Sequence, residues 1–434
     1  MLTIVLISLI LLAFILMTKR ILRQEVAMPL LALAAILLAG NTQGTTALNN
    51  GFSEFSRIAI LFTAVAVPAH ILQRSKLLDL VGVWIGEIIG KLYIATNINI
   101  CYLVSTFSLV MVYLMAALFH NTTSILVSAV IIFVICKSYK LKALPVLCGA
   151  LVASNLGGFS TRWGDTPNIV EAGYWGLTHK DFLTEIMPIN ISALFILVVV
   201  VSIWLSKITN NDLFGKKRKF ETIFAMIRFR NANRELSLDH RLVFFGLLGL
   251  ALAIVGPIFF IKFELGFSSL AIIVSVLGDY GERRAEGLFA LGTETYAVLV
   301  SIFVLAQVLS QSSIGIGSSI QTLLVRSNMS IWAIALASYF GTLLTEAASW
   351  ASAAAPLIHA QTTTHASAWA LGSGIFAGSS SLVTAASAGI ILTNETKNNP
   401  DESRIVFGSY VFFGLLFSIS ILAYYILVLS IFFK

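Results

Sequence analysis

Two polar runs set in apolar sequence carry the residues that could do chemistry. The first, His120-Asn121-Thr122-Thr123-Ser124, lies inside Leu92 to Cys136, a stretch with no Asp, Glu, Lys or Arg. Its amide oxygen, hydroxyls and backbone carbonyls are hard oxygen ligands suited to Na⁺, and exposed half-helix N-termini attract anions. The second runs from Ser154 through Asn155, Gly157, Gly158, Thr161, Arg162, Asp165 and Pro167 to Asn168. Paired glycines interrupt a helix and admit another backbone, and Pro167 restricts the residue before it. Arg162 and Asp165 at bilayer depth need a partner or an aqueous cavity. Protonatable candidates are His120, whose imidazole titrates near neutral pH, with Asp165 and Glu346; His70 and Glu294 are further ones. Each group also has a plainer role. Ser, Thr and Asn bond nearby backbone and let helices pack, and Arg162 and Asp165 in an external loop are simply solvated.

The elements that position these runs are membrane helices. Apolar residues make up 58% of the 434 and charged residues 11%, against about half and about a quarter in soluble domains. Leu2–Thr18, Leu242–Ile261 and Ile405–Phe433 have no charged side chain, and about 20 apolar residues cross the hydrocarbon core. The expected class is an all-α polytopic membrane protein in a lipid bilayer, with the bacterial inner membrane as its expected location. Lys19, Arg20 and Arg23 follow the first run rather than precede it, which marks a retained helix rather than a signal peptide. The net charge of +7 belongs to membrane-flanking loops and points to no nucleic acid. Cys101, Cys136 and Cys148 lie in apolar surroundings without metal-ligand spacing. No His-Glu-x-x-His, Gly-x-Ser-x-Gly or phosphate loop occurs, so neither an enzyme nor a cofactor is expected.

Basic residues mark cytoplasmic loops, and one topology fits them. Leu2–Thr18 runs inward, about Met28–Gly40 outward, and Asn41–Ser53 is an external loop without basic residues. Phe55–Leu72 returns to Arg74 and Lys76, and the charged Leu77–Thr96 lies along the inner surface. Beyond the first polar run only about a dozen apolar residues remain before Lys137, a helix of about 18 Å, too short to cross. Residues 99–136 are therefore expected to form a re-entrant hairpin with polar backbone at its tip, tolerated at depth only in a protein-lined cavity. A span from Ala143 breaks at Gly157-Gly158, and Met187–Ser206 leads to a basic cytoplasmic linker, 207–241.

The second part (242–434) repeats the plan of the first (1–206) upside down. Spans over Leu242–Ile261, Leu265–Leu277 and Leu288–Leu309 precede a second hairpin, about 331–358, interrupted around Thr345 to Ser352. A broken span follows over Ala368–Leu392, then Ile405–Phe433. The count is about 10 transmembrane helices, two re-entrant hairpins and two interfacial helices, with both termini outside. Gly157–Val170 aligns without gaps on Gly378–Ile391, and Ala69–Ser75 resembles Ala306–Ser312. Inverted repeats of this kind place substrate and ion sites at discontinuous helices near the midplane.

Asn121-Thr122-Thr123 in a hairpin, followed by Gly157-Gly158-x-x-Thr161-x-x-Gly164-Asp165-x-Pro167-Asn168, resembles the ion transporter superfamily. That group includes divalent-anion/sodium symporters, citrate transporters, arsenite permeases and a class of sodium/proton antiporters. The resemblance implies a homodimer whose scaffold and transport domains move as an elevator. It also implies a Na⁺ site formed by Asn121, Thr122 and Gly157. The edge of a small inorganic or organic ion would meet Thr123, Gly158, Thr161, Asp165 and Asn168; Asn155 and Arg162 join these candidates from their own chemistry, Arg162 standing where an apolar residue is usual. His120 stands where serine or aspartate is usual, Thr166 where a second proline is usual, and Gly389 where the second asparagine belongs. The second half keeps Ser349 and Ser352 at its tip and Ser379, Ser380, Ser381 and Thr384 at its break. The expected function is Na⁺- or H⁺-coupled transport of a small ion, a carboxylate or oxyanion best suiting Arg162 and the helix termini. The alternative is sodium/proton antiport through His120, Asp165 and Glu346.

Overall fold

A computed structural model describes residues 2–19, 21–119, 121–162, 164–209, 216–259, 263–279, 293–310, 322, 327, 329–396, 405 and 407–433. Among these residues every regular element is a helix, as the composition requires. α1 (Leu2–Thr18) and α2 (Gln24–Ala39) meet at the basic cluster, and Gly40, at φ +78°, turns the chain directly into α3 (Asn41–Arg74). The external loop expected over Asn41–Ser53 is instead the first turns of α3, a single helix of 34 residues. The Asn, Gln, Thr and Ser residues there are polar but include no proline, so nothing stops the helix. At about 1.5 Å per residue α3 exceeds the thickness of a ~30 Å core.

α4 (Leu77–Thr96) fills the range read as an interfacial helix, bracketed by Lys76 and Asn97 in left-handed backbone. α5 (Ile100–Phe119) and α6 (Asn121–Ser138) form the first hairpin, and α7 (Ala143–Phe159) and α8 (Thr166–Trp175) the first broken helix. α9 (His179–Ile208) follows, with a π-turn over Phe182–Ile186. Its start is closed by a capping box in which Thr178 donates to the Asp181 carboxylate from both backbone and hydroxyl.

The basic linker is not a plain loop. It carries α10 (Lys216–Glu235), which packs on α4 with Phe229 buried against Gly86 and Met226 against Gly90. The Tyr139 hydroxyl donates to the Gly86 carbonyl at 2.6 Å. Lys91 above all, with Arg230, holds the Glu87 carboxyl below the ordinary carboxylate range.

The second half contains α11 (His240–Phe259), α12 (Glu264–Gly278) and α13 (Thr293–Ser310). Its hairpin is α14 (Ile331–Leu344) with α15 (Ala347–His359), its broken helix α16 (His365–Ser379) with α17 (Ser387–Glu395), and α18 (Phe407–Phe432) closes it. Ile100–Leu118, His179–Ile208 and Phe407–Phe432 are long and apolar enough to cross a membrane.

Two packing groups emerge. α2, α3, α11, α12 and α13 pack on one another, and a buried ion pair between Arg74 and Asp279 ties α3 to the end of α12. The hairpins and broken helices form the other group with α9 and α18.

Candidate functional site

From Asn121 onward the first polar run is helical rather than irregular, because α6 begins at Asn121. The structure extends the returning arm of the hairpin to 18 residues, about 27 Å at 1.5 Å per residue, longer than the dozen residues read from the apolar run alone. α7, which starts beside the same basic loop, is 17 residues long and ends level with this tip, and α8 adds a further 10.

Gly157 and Gly158 lie within α7, and the helix breaks after them, over 160–165. Their smallness serves close approach. A Cβ on Gly157 would stand 2.2 Å from the Tyr113 carbonyl, and one on Gly158 3.0 Å from the Gly164 carbonyl. The chain restarts because Asp165 caps α8, its Oδ1 accepting from the Thr166 N–H at 2.8 Å, and Pro167 occupies the first turn, where a missing N–H costs nothing.

The break and the tip are knotted together. The Asn121 N–H donates to the Gly164 carbonyl at 3.0 Å, and its Nδ2 donates to Asp165 Oδ2 at 2.8 Å and Asn155 Oδ1 at 3.4 Å. The Thr161 hydroxyl donates to the Ala117 carbonyl at the end of α5 (2.8 Å), and Asn168 Nδ2 donates to both Gly158 O (2.8 Å) and Thr161 O (2.7 Å). One atom stays unmatched: Asn121 Oδ1 is buried with no donor among the described residues. A buried amide oxygen without a donor is costly, and a hard cation is the natural partner for it. Thr122 is buried beside it. The Gly157 carbonyl already accepts from the Ser160 N–H at 3.0 Å. Arg162 is half-buried and forms no ion pair with any described residue. The N-termini of α6 and α8 meet here; Asp165 fills that of α8, which leaves that of α6 as the end that suits an anion.

The citrate transporter family profile matches residues 9–374. The chain belongs to that family. The magnetosome protein MamN of Magnetospirillum gryphiswaldense is 28% identical over 280 residues, 60% of this chain and 60% of that protein. The chain thus aligns with under two thirds of that relative's length. A 46 kDa membrane protein of Mycobacterium leprae is 37% identical over 93 residues, 21% of each chain. An uncharacterized transporter of Mycobacterium tuberculosis is 34% identical over 88 residues, 20% of each.

The second tip is built differently. The interruption expected from Thr345 to Ser352 narrows to Thr345 and Glu346, and both Ser349 and Ser352 fall inside α15. Buried Glu346 accepts from the Ala348 N–H at 2.9 Å and so satisfies the N-terminus of α15 with the protein's own carboxylate. Ser379, Ser380, Ser381 and Thr384 are all buried at the second break. Asn155 Nδ2 donates across to Ser380 Oγ at 3.2 Å, joining the two halves, and Phe159 stacks on Phe376 alongside. His120 lies outside the described residues, as do the side chains of Thr123, Glu294, Ser349 and Ser352. His70 stands apart from the knot, in a small cavity with Gln73 and Glu395 between α3, α6 and α17.

Four groups around the site escaped sequence reasoning. Tyr113 and Asn190 both reach Ser160 Oγ at 2.8 Å, and Tyr425 donates to Asn190 Oδ1. Their partners are distant in sequence and carry no local pattern. The fourth, Glu171, is fully buried on α8. Its signal was available: a lone carboxylate in the otherwise uncharged run from Thr166 to Trp175.

Proposed function

We propose that this chain is an ion-coupled secondary transporter of a small anion, a carboxylate or oxyanion, with Na⁺ or H⁺ as the coupling ion. The observation that carries the reading is the knot at the first tip, where Asn121 Oδ1 stands buried and unmatched among the described residues at the N-terminus of α6, against the Asp165-capped start of α8. The cation would take the oxygen, and the anion would take the N-terminus of α6 with Arg162. Family membership supports a carboxylate as cargo.

The two halves are read as inverted repeats, and paired contacts support that. Tyr113 lies 2.8 Å from Ser160 and Tyr339 lies 3.1 Å from Ser381, in the register of the glycine alignment. Gly157 abuts the Tyr113 carbonyl as Gly378 abuts that of Tyr339. Each post-break half-helix packs on the other half's hairpin, α8 on α15 and α17 on α6. The two packing groups suit a scaffold and a moving transport domain, hence an elevator, in a homodimer of the cell membrane with both termini outside.

A second reading, sodium/proton antiport, is favoured by the Asp165 carboxylate bonded to Asn121. Proteoliposomes holding the full chain and a lumenal pH dye separate the two. Symport gives saturable citrate or oxyanion uptake driven by an inward Na⁺ or H⁺ gradient. Antiport gives a lumenal pH change on a Na⁺ jump with no anion present. Flux that neither saturates nor follows a gradient contradicts both.

A further inference from the structure

Glu171 is the buried titratable group that the ion site does not use. It lies on α8, one helical turn beyond Asn168, so the two share a face, and Asn168 is the residue that closes the knot. Its side chain is fully buried, and neither carboxyl oxygen has a hydrogen-bond partner among the described residues. Its surroundings are tight and apolar. A Cβ on Gly372 of α16 would stand 2.7 Å from Glu171 Oε2 and 2.4 Å from the Phe159 ring. No Lys, Arg or His among the described residues forms an ion pair with it.

The helices packed on α8 are α15 and α16. Glu346 holds the Ala348 N–H and His365 Nδ1 is 3.2 Å from Glu185, while the His359 ring lies against Trp175 and Tyr174 of α8 with its buried Nδ1 unbonded among the described residues; none of the three forms an ion pair with Glu171. On its own segment Asp165 is bonded to Asn121 and Thr166. An ionised carboxylate without partner or solvent is strongly disfavoured, so Glu171 is the neutral acid in this conformation. It can lose its proton only when the interface between α8 and α16 opens.

We propose that Glu171 is a proton-binding site of the transport cycle, neutral while α8 is sealed against α15 and α16 and ionised when they part. On opening, the carboxyl O–H bond breaks and the proton passes to water entering the gap, leaving the carboxylate. On closing, the carboxylate takes a proton from that water before it is sealed. Placed a turn from Asn168, the event is tied mechanically to the ion site, and this coupling rests on the transport reading above. The arrangement also accounts for Gly372, since any larger residue would press on the carboxyl group.

Infrared difference spectroscopy on the full chain in lipid at neutral pH tests the site without reference to transport. The carbonyl stretch of a protonated carboxylic acid is present in the native protein and lost in Glu171→Gln. If Glu171→Gln does not fold, Gly372→Ala, which crowds Oε2, shifts the same band. An unchanged band in the variant that folds overturns the proposal. In proteoliposomes, Glu171→Gln keeps citrate-for-citrate exchange but loses all acceleration by an inward proton gradient. Native-like acceleration in that variant also overturns it. Native protein that moves no citrate would count against the transport reading alone, while the infrared band still decides the protonation of Glu171.

Discussion

The two hairpin tips share a scaffold and differ in what fills it. Both are reached by a hairpin packed on a broken helix, and in both a glycine lets that helix press on a tyrosine carbonyl. At the first tip the pole of α6 carries an amide whose oxygen has no donor, and the break is closed by Asn168. At the second, Glu346 fills the pole of α15 from within the chain, and Gly389 stands in the register of Asn168 with no side chain to close anything. A helix N-terminus already neutralised by its own carboxylate has little left to offer an anion. The difference teaches that one half leaves a buried polar atom unmatched, where the proposed ligand site lies, while the other fills the same architecture with its own side chains.

The sharpest way to break this comparison is to exchange the closing residues. Asn168→Ala removes the amide that bridges the Gly158 and Thr161 carbonyls; Thr161 keeps the Gly164 N–H as a donor, while the Gly158 carbonyl loses its Asn168 donor at about 1–3 kcal/mol, and with the void left behind this should lower the melting temperature in detergent more than the other single changes discussed here. Gly389→Asn does not restore a site, because a Cβ there meets the Val383 carbonyl at 2.3 Å. It is expected to destabilise the protein, and a rise in melting temperature would show that the second break can still accept an asparagine. Next in size is the glycine pair. Gly157→Ala and Gly378→Ala each overpack a helix contact at about 1–3 kcal/mol. Gly157→Ala should cost more, since its Cβ would lie 2.2 Å from a carbonyl rather than 2.8 Å. The tyrosine pair is smallest. Tyr113→Phe removes one hydrogen bond, to Ser160 at 2.8 Å, and Tyr339→Phe two longer ones, to Ser381 at 3.1 Å and Ser418 at 3.3 Å, about 1 kcal/mol in either case. Ser160 and Ser381 keep other partners in Asn190 and Ser418, so near-equal shifts in thermal unfolding are expected.

The fold was largely legible because long uncharged runs have few alternatives to spanning helices, and basic clusters order them. α1 and α4 occupy the ranges read from charge alone. The start of α3 was not legible, because polarity places a segment in water without saying whether it is coiled or helical. The paired glycines were recognised but misassigned. They mark a close approach inside α7, and the break follows where Asp165 and Pro167 can restart a helix. At the site, Asn121 and Asn168 stood out by type and surroundings. What could not be read was which groups meet, since Asn155 and Ser380, or Tyr113 and Ser160, are joined only by the packing of distant helices.

The most direct measurement is a thermal-shift titration of the detergent-solubilised full chain with NaCl against choline chloride, with and without citrate or an oxyanion. A ligand that binds only the folded protein raises its stability by about 2.7 kcal/mol at 100 times its dissociation constant. The native protein and Glu346→Gln should both show the rise, and Asn121→Ala should show none while still folding. A native-sized rise in Asn121→Ala, or its loss in Glu346→Gln alone, would place the ligand at the other tip and contradict the account.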